Sequence, residues 1–133
     1  MVLVTNLLEK FGVSAGKIWE KLSETELQPE AKLRRKTGLN KEEFYGAIGW
    51  LAREDKIRRK GRSYALGDTN LIGEVGANAG RIWKTLNIWG ELDLPNLARL
   101  ADLNDKELFT ALGWLAREGK VESDPSLRKW RLK

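Results

Sequence analysis

The sequence predicts a mainly α-helical protein with small β-hairpins (α+β), built from two tandem copies of one unit. Two observations predict this arrangement. The hexapeptide GWLARE occurs at Gly49–Glu54 and again at Gly113–Glu118. A shift of 64 residues also aligns most of the chain with itself without a gap. We therefore expect two small domains of roughly 65 residues, 1–67 and 68–133.

Each unit begins with a predicted helix that follows an asparagine, Asn6 or Asn70, and asparagine is a favourable N-cap residue. Apolar residues then recur at helical spacing. In the first unit this stripe comprises Leu7, Leu8, Phe11, Ala15, Ile18, Trp19 and Leu22. Four tryptophans occupy equivalent positions in both units and are interpreted as core residues: Trp19, Trp50, Trp83 and Trp114. The glycine pairs Gly12/Gly16 and Gly76/Gly80 favour the close approach of another helix.

The second helices are shorter and are predicted near Pro29–Lys36 and Pro95–Ala101, because proline suits the first turn of a helix. The third helices are predicted at about 41–54 and 105–118. Their starts are marked by an asparagine with a glutamate three residues later, as in a capping box. The two pairs are Asn40 with Glu43 and Asn104 with Glu107.

A β-hairpin is predicted to close each unit. Its turn lies at Gly61 in the first unit and at Asp124-Pro125 in the second. Helix, helix, turn, helix and hairpin is the order of a winged helix-turn-helix domain, in which the hairpin is the wing. The linker Gly67–Asn70 is short, so we expect the two domains to pack closely.

The patterns AGxIW, LN and A[IL]GWLARExK[IV] resemble a small prokaryotic winged helix-turn-helix family of poorly defined function. The resemblance covers nearly the whole chain, twice. It implies a fold and a DNA-binding role without a known target. It also implies single-unit relatives that pair as homodimers, so the fused tandem favours an internal pseudo-dimer.

The repeated hexapeptide is interpreted as structural. Trp50 and Leu51 are expected to pack against Trp19, and Arg53 to pair with a carboxylate. A glycine inside a helix costs about 1 kcal/mol relative to alanine. Its presence at Gly49 therefore indicates that something approaches the third helix closely. The sequence leaves three alternatives open: the DNA backbone, the other unit, or the first helix.

Composition excludes several classes of function. The chain has no cysteine and no histidine, which rules out disulfides, makes a zinc site very unfavourable and removes Ser-His-Asp or Cys-His nucleophile systems. No cofactor or metal is expected, and an enzyme is the least supported class. The longest apolar run is about six residues, so no membrane association is expected. The start of the chain lacks the pattern of a secretory signal, which favours a cytoplasmic location. Within the cytoplasm we expect it at the nucleoid.

Charge favours an acidic partner. The net charge is +5, and we count 14 basic and 9 acidic residues before residue 68, against 10 and 10 after it. The whole net charge thus belongs to the first domain. Two basic clusters carry it, one at the end of the second helix and one on the wing.

The predicted function is DNA binding, through the phosphate backbone and mainly by the first domain, as a transcriptional regulator or nucleoid-associated protein. The predicted DNA contacts are Arg34, Arg35, Lys36, Lys41, Tyr45, Arg58, Arg59, Lys60, Arg62, Lys106, Arg128 and Lys129. The exposed early face of the third helices is predicted to comprise Lys41, Glu42, Tyr45 and Gly46, and Asp105, Lys106, Phe109 and Thr110. Neither set contains an Arg or Asn pair suited to bidentate reading of bases.

The alternative is a protein–protein interaction scaffold that uses winged helices for dimerisation without DNA binding. Double-stranded DNA, the internal pseudo-dimer and a homodimer of whole chains are the partners considered. The sequence leaves open whether the second domain contacts DNA or protein.

Overall fold

The computed structural model describes residues 7–133. The first repeat contains a π-helical turn Leu8–Gly12 that continues into α1 (Val13–Leu22), then β1 (Gln28–Pro29), α2 (Glu30–Thr37), α3 (Lys41–Arg53), β2 (Ile57–Lys60) and β3 (Ser63–Leu66). The second contains α4 (Ile72–Trp89), β4 (Leu92–Asp93), α5 (Leu94–Ala101), α6 (Asp105–Arg117), β5 (Val121–Ser123) and β6 (Lys129–Leu132). This order confirms the predicted fold class of two tandem winged helix-turn-helix domains.

Both predicted capping boxes are present at the third helices. The Asn40 side chain accepts a hydrogen bond from the backbone N–H of Glu43 at 2.8 Å, and the Glu43 carboxylate accepts one from the Asn40 N–H at 3.2 Å. Asn104 and Glu107 repeat this exchange at 2.8 and 3.0 Å. These bonds satisfy amide groups that the first helical turn leaves without a partner.

The starts of the other helices differ from the prediction. Asn70 does not cap α4. Its side chain instead accepts a hydrogen bond from the backbone N–H of Arg59 at 2.9 Å and donates one to the Arg59 carbonyl at 2.7 Å. It thereby covers the open edge of β2. Asn6 lies outside the described residues. Pro95 lies in the first turn of α5 as predicted, whereas Pro29 is the N-cap residue of α2.

Each wing belongs to a three-stranded antiparallel sheet, with the strand orders β1-β3-β2 and β4-β6-β5. The predicted turns are present: Gly61 has a φ of 62°, and the Asp124 carboxylate accepts the backbone N–H groups of Arg128 and Lys129 at 2.8 and 3.0 Å. The third strands, β1 and β4, have only two residues each and were not predicted. They fasten the start of the second helix to the wing.

The two repeats pack against each other through α3 and α6, which run in the same direction. Their first residues, Lys41 and Asp105, form an ion pair at 2.7 Å. Halfway along, a Cβ atom on Gly49 would overlap the carbonyl oxygen of Thr110, and one on Gly113 would overlap that of Gly46. The close approach indicated by Gly49 is therefore made by the other repeat.

The repeated hexapeptide forms the far end of this contact reciprocally. Arg53 donates to the Glu118 carboxylate at 3.1 Å and lies 5.7 Å from the Trp114 ring centroid. Arg117 makes the same contacts, at the same distances, with Glu54 and with the Trp50 ring. The tryptophan, arginine and glutamate of each copy thus bind those of the other copy. The carboxylate predicted for Arg53 comes from the second repeat.

The predicted exposed face of the third helices is correct only in the first two residues of each helix, which stay at least partly exposed. Tyr45 is only 7% exposed and Gly46 is buried, and in the second repeat Phe109 and Thr110 are buried as well. The contact between α3 and α6 occupies this side of both helices. Core side chains from both repeats consequently form one continuous cluster.

The interpretation of the repeated tryptophans is only partly correct. Trp50 is buried, but Trp19 is 47% exposed and Trp83 is 40% exposed. The expectation of a helix against the first-helix glycines is also wrong at Gly16 and Gly80, where an added Cβ would meet no atom of residues 7–133 within 4 Å.

Candidate nucleic-acid interface

The wing of the first repeat presents free cations on one face of its sheet. Along β2, Ile57 is buried and Arg59 is half-buried, whereas Arg58 and Lys60 are exposed. Side chains alternate between the faces of a strand, so Arg58 and Lys60 share the outer face. Their cross-strand neighbours, Ala65 and Ser63, are small. Arg62 at the turn is exposed too, and within residues 7–133 no ion pair involves any of these three cations.

Arg59 faces the other way and is engaged. Its guanidinium forms an ion pair with Glu74 at the start of α4, and its backbone is held by Asn70. Arg59 therefore connects the first wing to the second repeat. Of the four wing cations predicted as DNA contacts, it is the one whose charge is already compensated.

The basic end of α2 is divided in the same way. Arg35 and Lys36 are exposed on the last turn. Arg34 is half-buried, and its guanidinium lies 5.9 Å from the ring centroids of both Phe44 and Tyr45. Its Nε is buried and has no hydrogen-bond partner among the described residues. The aromatic rings fix Arg34 against α3, so Arg35 and Lys36 are the accessible charges of this cluster.

The predicted contacts on the third helices lie at the junction of the repeats. Lys41 pairs with Asp105, and Lys106 pairs with Glu30 at 3.1 Å while lying 5.5 Å from the Tyr45 ring centroid. Both lysine side chains remain over two-fifths exposed, but each has an acidic partner.

Glu30 is the centre of a polar cluster that sequence reasoning missed. Its carboxylate accepts hydrogen bonds from the hydroxyls of Tyr64 at 2.8 Å and Tyr45 at 3.0 Å, besides the bond from Lys106. Partial burial by itself raises the pKa of Glu30, but these three hydrogen bonds outweigh it and hold the pKa below its usual range. Burial first, and then Glu30, raises the pKa values of both tyrosines. The signal in the sequence that could have indicated this cluster was the presence of two tyrosines, whose buried hydroxyls need an acceptor.

A groove of about 550 Å³ runs between the first wing and the start of α2, lined by Glu30, Ala31, Arg59, Arg62 and Lys106 among others. The Arg62 carbonyl accepts the backbone N–H of Glu30 at 2.8 Å, which fixes the wing turn beside α2. The structure therefore brings Arg62, Arg59 and Lys106 together. Arg35 lies one helical turn beyond Ala31, on the same side of α2.

The wing of the second repeat is electrostatically different. Arg128 and Lys129 are exposed, but they flank Asp124, whose pKa is lowered because hydrogen bonds from Lys129, Ser126 and Arg128 outweigh slight desolvation. Arg131 is paired with Glu122 at 2.6 Å and with Glu91 at 3.5 Å. Each cationic stretch of this wing thus lies beside carboxylates.

Comparison with known proteins agrees with this architecture. A family model described as "Winged helix-turn-helix domain (DUF2582)" matches the chain twice, at residues 7–66 and 69–133. The chain is also 50% identical over 50 residues to "Uncharacterized protein MJ1608" of Methanocaldococcus jannaschii, an alignment covering 36% of this chain and 71% of that protein. No solved structure matches the chain. Within residues 7–133, no helix combines the length and the apolar character needed to cross a membrane.

Proposed function

Because the chain belongs to the winged helix-turn-helix domain family DUF2582, we propose that it binds duplex DNA through the phosphate backbone. The first repeat supplies most of the contacts. In the cell it acts as a small transcriptional regulator or a nucleoid-associated protein. The fold is typical of DNA-binding proteins rather than of enzymes.

The observation that carries this proposal is the set of uncompensated cations on the first wing. Arg58, Lys60 and Arg62 are exposed and have no ion-pair partner among the described residues. Arg35 and Lys36 add two exposed cations at the end of α2. Unpaired guanidinium and ammonium groups on a protruding hairpin suit phosphate contacts, which supply most sequence-independent affinity for DNA.

The packing of α3 against α6 also shapes the proposed mode of binding. The sides of these helices that carry Tyr45 and Phe109 are buried. A helix covered in this way cannot lie deep in the major groove, where bases are distinguished. The proposed binding is therefore weakly dependent on sequence, and Tyr45, Lys41 and Lys106 act mainly by holding the two repeats together.

Fluorescence anisotropy with a random and a genomic duplex, at two salt concentrations, tests the proposal. Each phosphate contact should contribute about 0.9 to the slope of log affinity against log salt. The variant R58E/K60E/R62E should reduce affinity by roughly 100-fold or more and flatten that slope. The matched control R128E/K129E reverses charges on the second wing and should have a much smaller effect. Unchanged binding by R58E/K60E/R62E would contradict the proposal.

We further infer that the two repeats form the internal equivalent of a homodimer. The reciprocal contacts of Arg53 and Arg117 are those expected of a twofold interface. The relative from Methanocaldococcus jannaschii is about 70 residues long, since 50 residues are 71% of it, and so has the size of one repeat. Pairing of two whole chains into a homodimer is a separate, further partner that we consider.

One observation favours the scaffold function as a second candidate. The face that recognition helices use for DNA is used here for protein contact, at Gly46, Gly49 and Gly113. A scaffold predicts no change in anisotropy with either duplex at physiological salt. It predicts instead a stable complex with protein, which size-exclusion chromatography with light scattering would detect.

A further inference from the structure

Two open grooves lie at equivalent places in the two repeats, away from the basic wing. The first has a volume of about 810 Å³ and lies between α1 and the end of α3. The second has a volume of about 410 Å³ and lies between α4 and the end of α6. Both volumes fall in the range of small-molecule sites, about 300–1,000 Å³. Each groove contains an exposed tryptophan, Trp19 or Trp83, near a second one, Trp50 or Trp114.

The grooves have changed less than the repeats around them. Of the ten residues that the first repeat contributes to its groove, eight are identical at the equivalent positions of the second groove. Across Thr5–Lys56 as a whole, 22 of 52 positions are identical to their counterparts 64 residues later. The surface of the grooves was therefore retained while the wings diverged.

Packing between the repeats accounts for only part of this identity. It explains Trp50 and Glu54, which contact Arg117 of the other repeat. It does not explain Gly16 and Trp19, or their counterparts Gly80 and Trp83. Both glycines face open space, although a glycine within a helix costs about 1 kcal/mol relative to alanine. Both tryptophans are at least 40% exposed.

Charge indicates the chemistry of an occupant. Glu54 forms ion pairs with two cations, Arg117 at 3.1 Å and Lys56 at 3.8 Å. In the second groove Glu118 likewise receives Arg53 at 3.1 Å and Lys120 at 3.5 Å. Two cations therefore accompany one carboxylate beside the two indoles of each groove. Glu9 also lines the first groove and makes its charged lining neutral, whereas Lys84 lines the second and leaves it positively charged. The arginine already lies over one indole ring, so a second cation is disfavoured there.

We propose that each groove binds a small planar aromatic anion. Its ring stacks against Trp19 or Trp83 over the open glycine, and its anionic group pairs with Lys56 or Lys120. The glycine is required because any side chain at residue 16 or 80 would occupy the place of the ring. The wing cations Arg58, Lys60 and Arg62 are not among the residues that line either groove, so the proposal does not depend on DNA binding. An aromatic carboxylate and a mononucleotide both have this chemistry.

Isothermal titration calorimetry with 1-naphthoate, with its neutral counterpart 1-naphthamide and with AMP tests the proposal. At least one of the two anions should bind twice per chain, and 1-naphthamide should bind roughly tenfold more weakly than 1-naphthoate if the carboxylate is the preferred group. Gly16→Leu and Gly80→Leu should each remove one site, and the double variant should remove both. Lys56→Met with Lys120→Met should weaken the binding of the anion by about tenfold.

The leucine variants are suitable because their Cβ atoms enter open space and leucine favours helix more than glycine does. Their melting temperatures should equal or exceed that of the parent chain. If AMP binds but 1-naphthoate does not, and the leucine variants remove AMP binding, the site is supported and its ligand is a nucleotide. No binding of either anion at about 5 mM would overturn the proposal, as would binding that the double leucine variant leaves intact.

Discussion

The two repeats are alike at the ends of the paired helices α3 and α6 and different beside their wings. Arg53 and Arg117 make matching contacts at matching distances. Beside the wings the match is lost. The first repeat has Glu30 bonded to Tyr45 and Tyr64, where the second has Leu94, Phe109 and Trp130. The corresponding surroundings are polar in one repeat and apolar in the other.

One backbone arrangement therefore supports two kinds of wing anchor. In the second repeat Trp130 is fully buried and stacks on Phe11 of the first repeat, with ring centroids 6.2 Å apart. In the first repeat Tyr64 is equally buried but needs a partner for its hydroxyl, which Glu30 supplies. Lys106 from the second repeat then compensates the carboxylate. The strongly basic wing thus stands on a polar anchor, and the wing of mixed charge in the second repeat on an apolar one.

Substitutions at the contact between α3 and α6 should have the largest effect on stability. Gly49→Leu should destabilise the protein by at least about 3 kcal/mol, because its Cβ would overlap backbone atoms of Thr110 and lie 3.0 Å from the backbone nitrogen of Trp114. Gly113→Leu should have a similar effect, since the geometry is reciprocal. Urea unfolding followed by circular dichroism measures both. Gly16→Ala is the matched control and should raise stability by roughly 0.5–1 kcal/mol. Tolerance of leucine at residue 49 would contradict the close parallel packing.

The difference between the anchors predicts the next largest effect. Glu30→Leu copies the residue of the second repeat and leaves the buried Tyr64 hydroxyl without its acceptor, which should cost about 1–3 kcal/mol. Adding Tyr45→Phe and Tyr64→Phe should restore much of the loss, because no buried hydroxyl remains. Urea midpoints of the single and triple variants, compared at one pH, measure this. A triple variant less stable than the single one would show that Glu30 acts differently.

A smaller effect tests the symmetry of the arginine contacts. Arg53→Ala and Arg117→Ala should each cost about 1 kcal/mol, the sum of a partly exposed ion pair and a cation–π contact. The two losses should agree within about 0.5 kcal/mol, and Arg99→Ala on the surface of α5 serves as a control. Clearly unequal losses would mean that the reciprocal geometry does not carry equal energy.

The smallest expected effect is on pH dependence. The pKa of Glu30 is lowered in the folded protein, so its contribution to stability is present above the ordinary glutamate pKa of 4.5 and is lost as pH falls through the lowered value. Stability of the parent chain should therefore fall more steeply below pH 4.5 than that of Glu30→Leu. Asp124 also has a lowered pKa, but it is present in both chains and cancels in the comparison. Parallel stability curves for the two chains would refute this role.

Local features of the fold were predictable from the sequence, and the faces of its helices were not. Asn40 with Glu43 fixes the start of α3 within a few residues, so the pattern sufficed. Helical periodicity also placed Phe11 and Ile18 on one apolar stripe, and both are fully buried. It could not show what covers the other side of α3, because that depends on a repeat distant in sequence. Tyr45 was therefore placed in solvent, and Trp19 was placed in the core, from an apolar pattern that does not reveal an open groove.

The candidate site was predictable in the same uneven way. The charge of Arg58, Lys60 and Arg62 follows from composition and the hairpin turn, and the structure leaves these cations exposed. The engagement of Arg59 by Glu74 could not be foreseen, because it joins strands and helices of different repeats. Glu30 was missed because its two tyrosine partners are 15 and 34 residues away in the chain.

The ion pair between Glu30 and Lys106 shows what fusion of two copies permits. In an assembly of two identical chains every substitution is made twice, once on each side of the axis. Two copies of the first repeat would place Glu42, the counterpart of Lys106, against Glu30, so that two carboxylates would meet. Two copies of the second would place Lys106 against Leu94. Identical chains could form such an ion pair only twice, whereas a chain that encodes its halves separately can form it on one side alone, and so acquire one basic side without two.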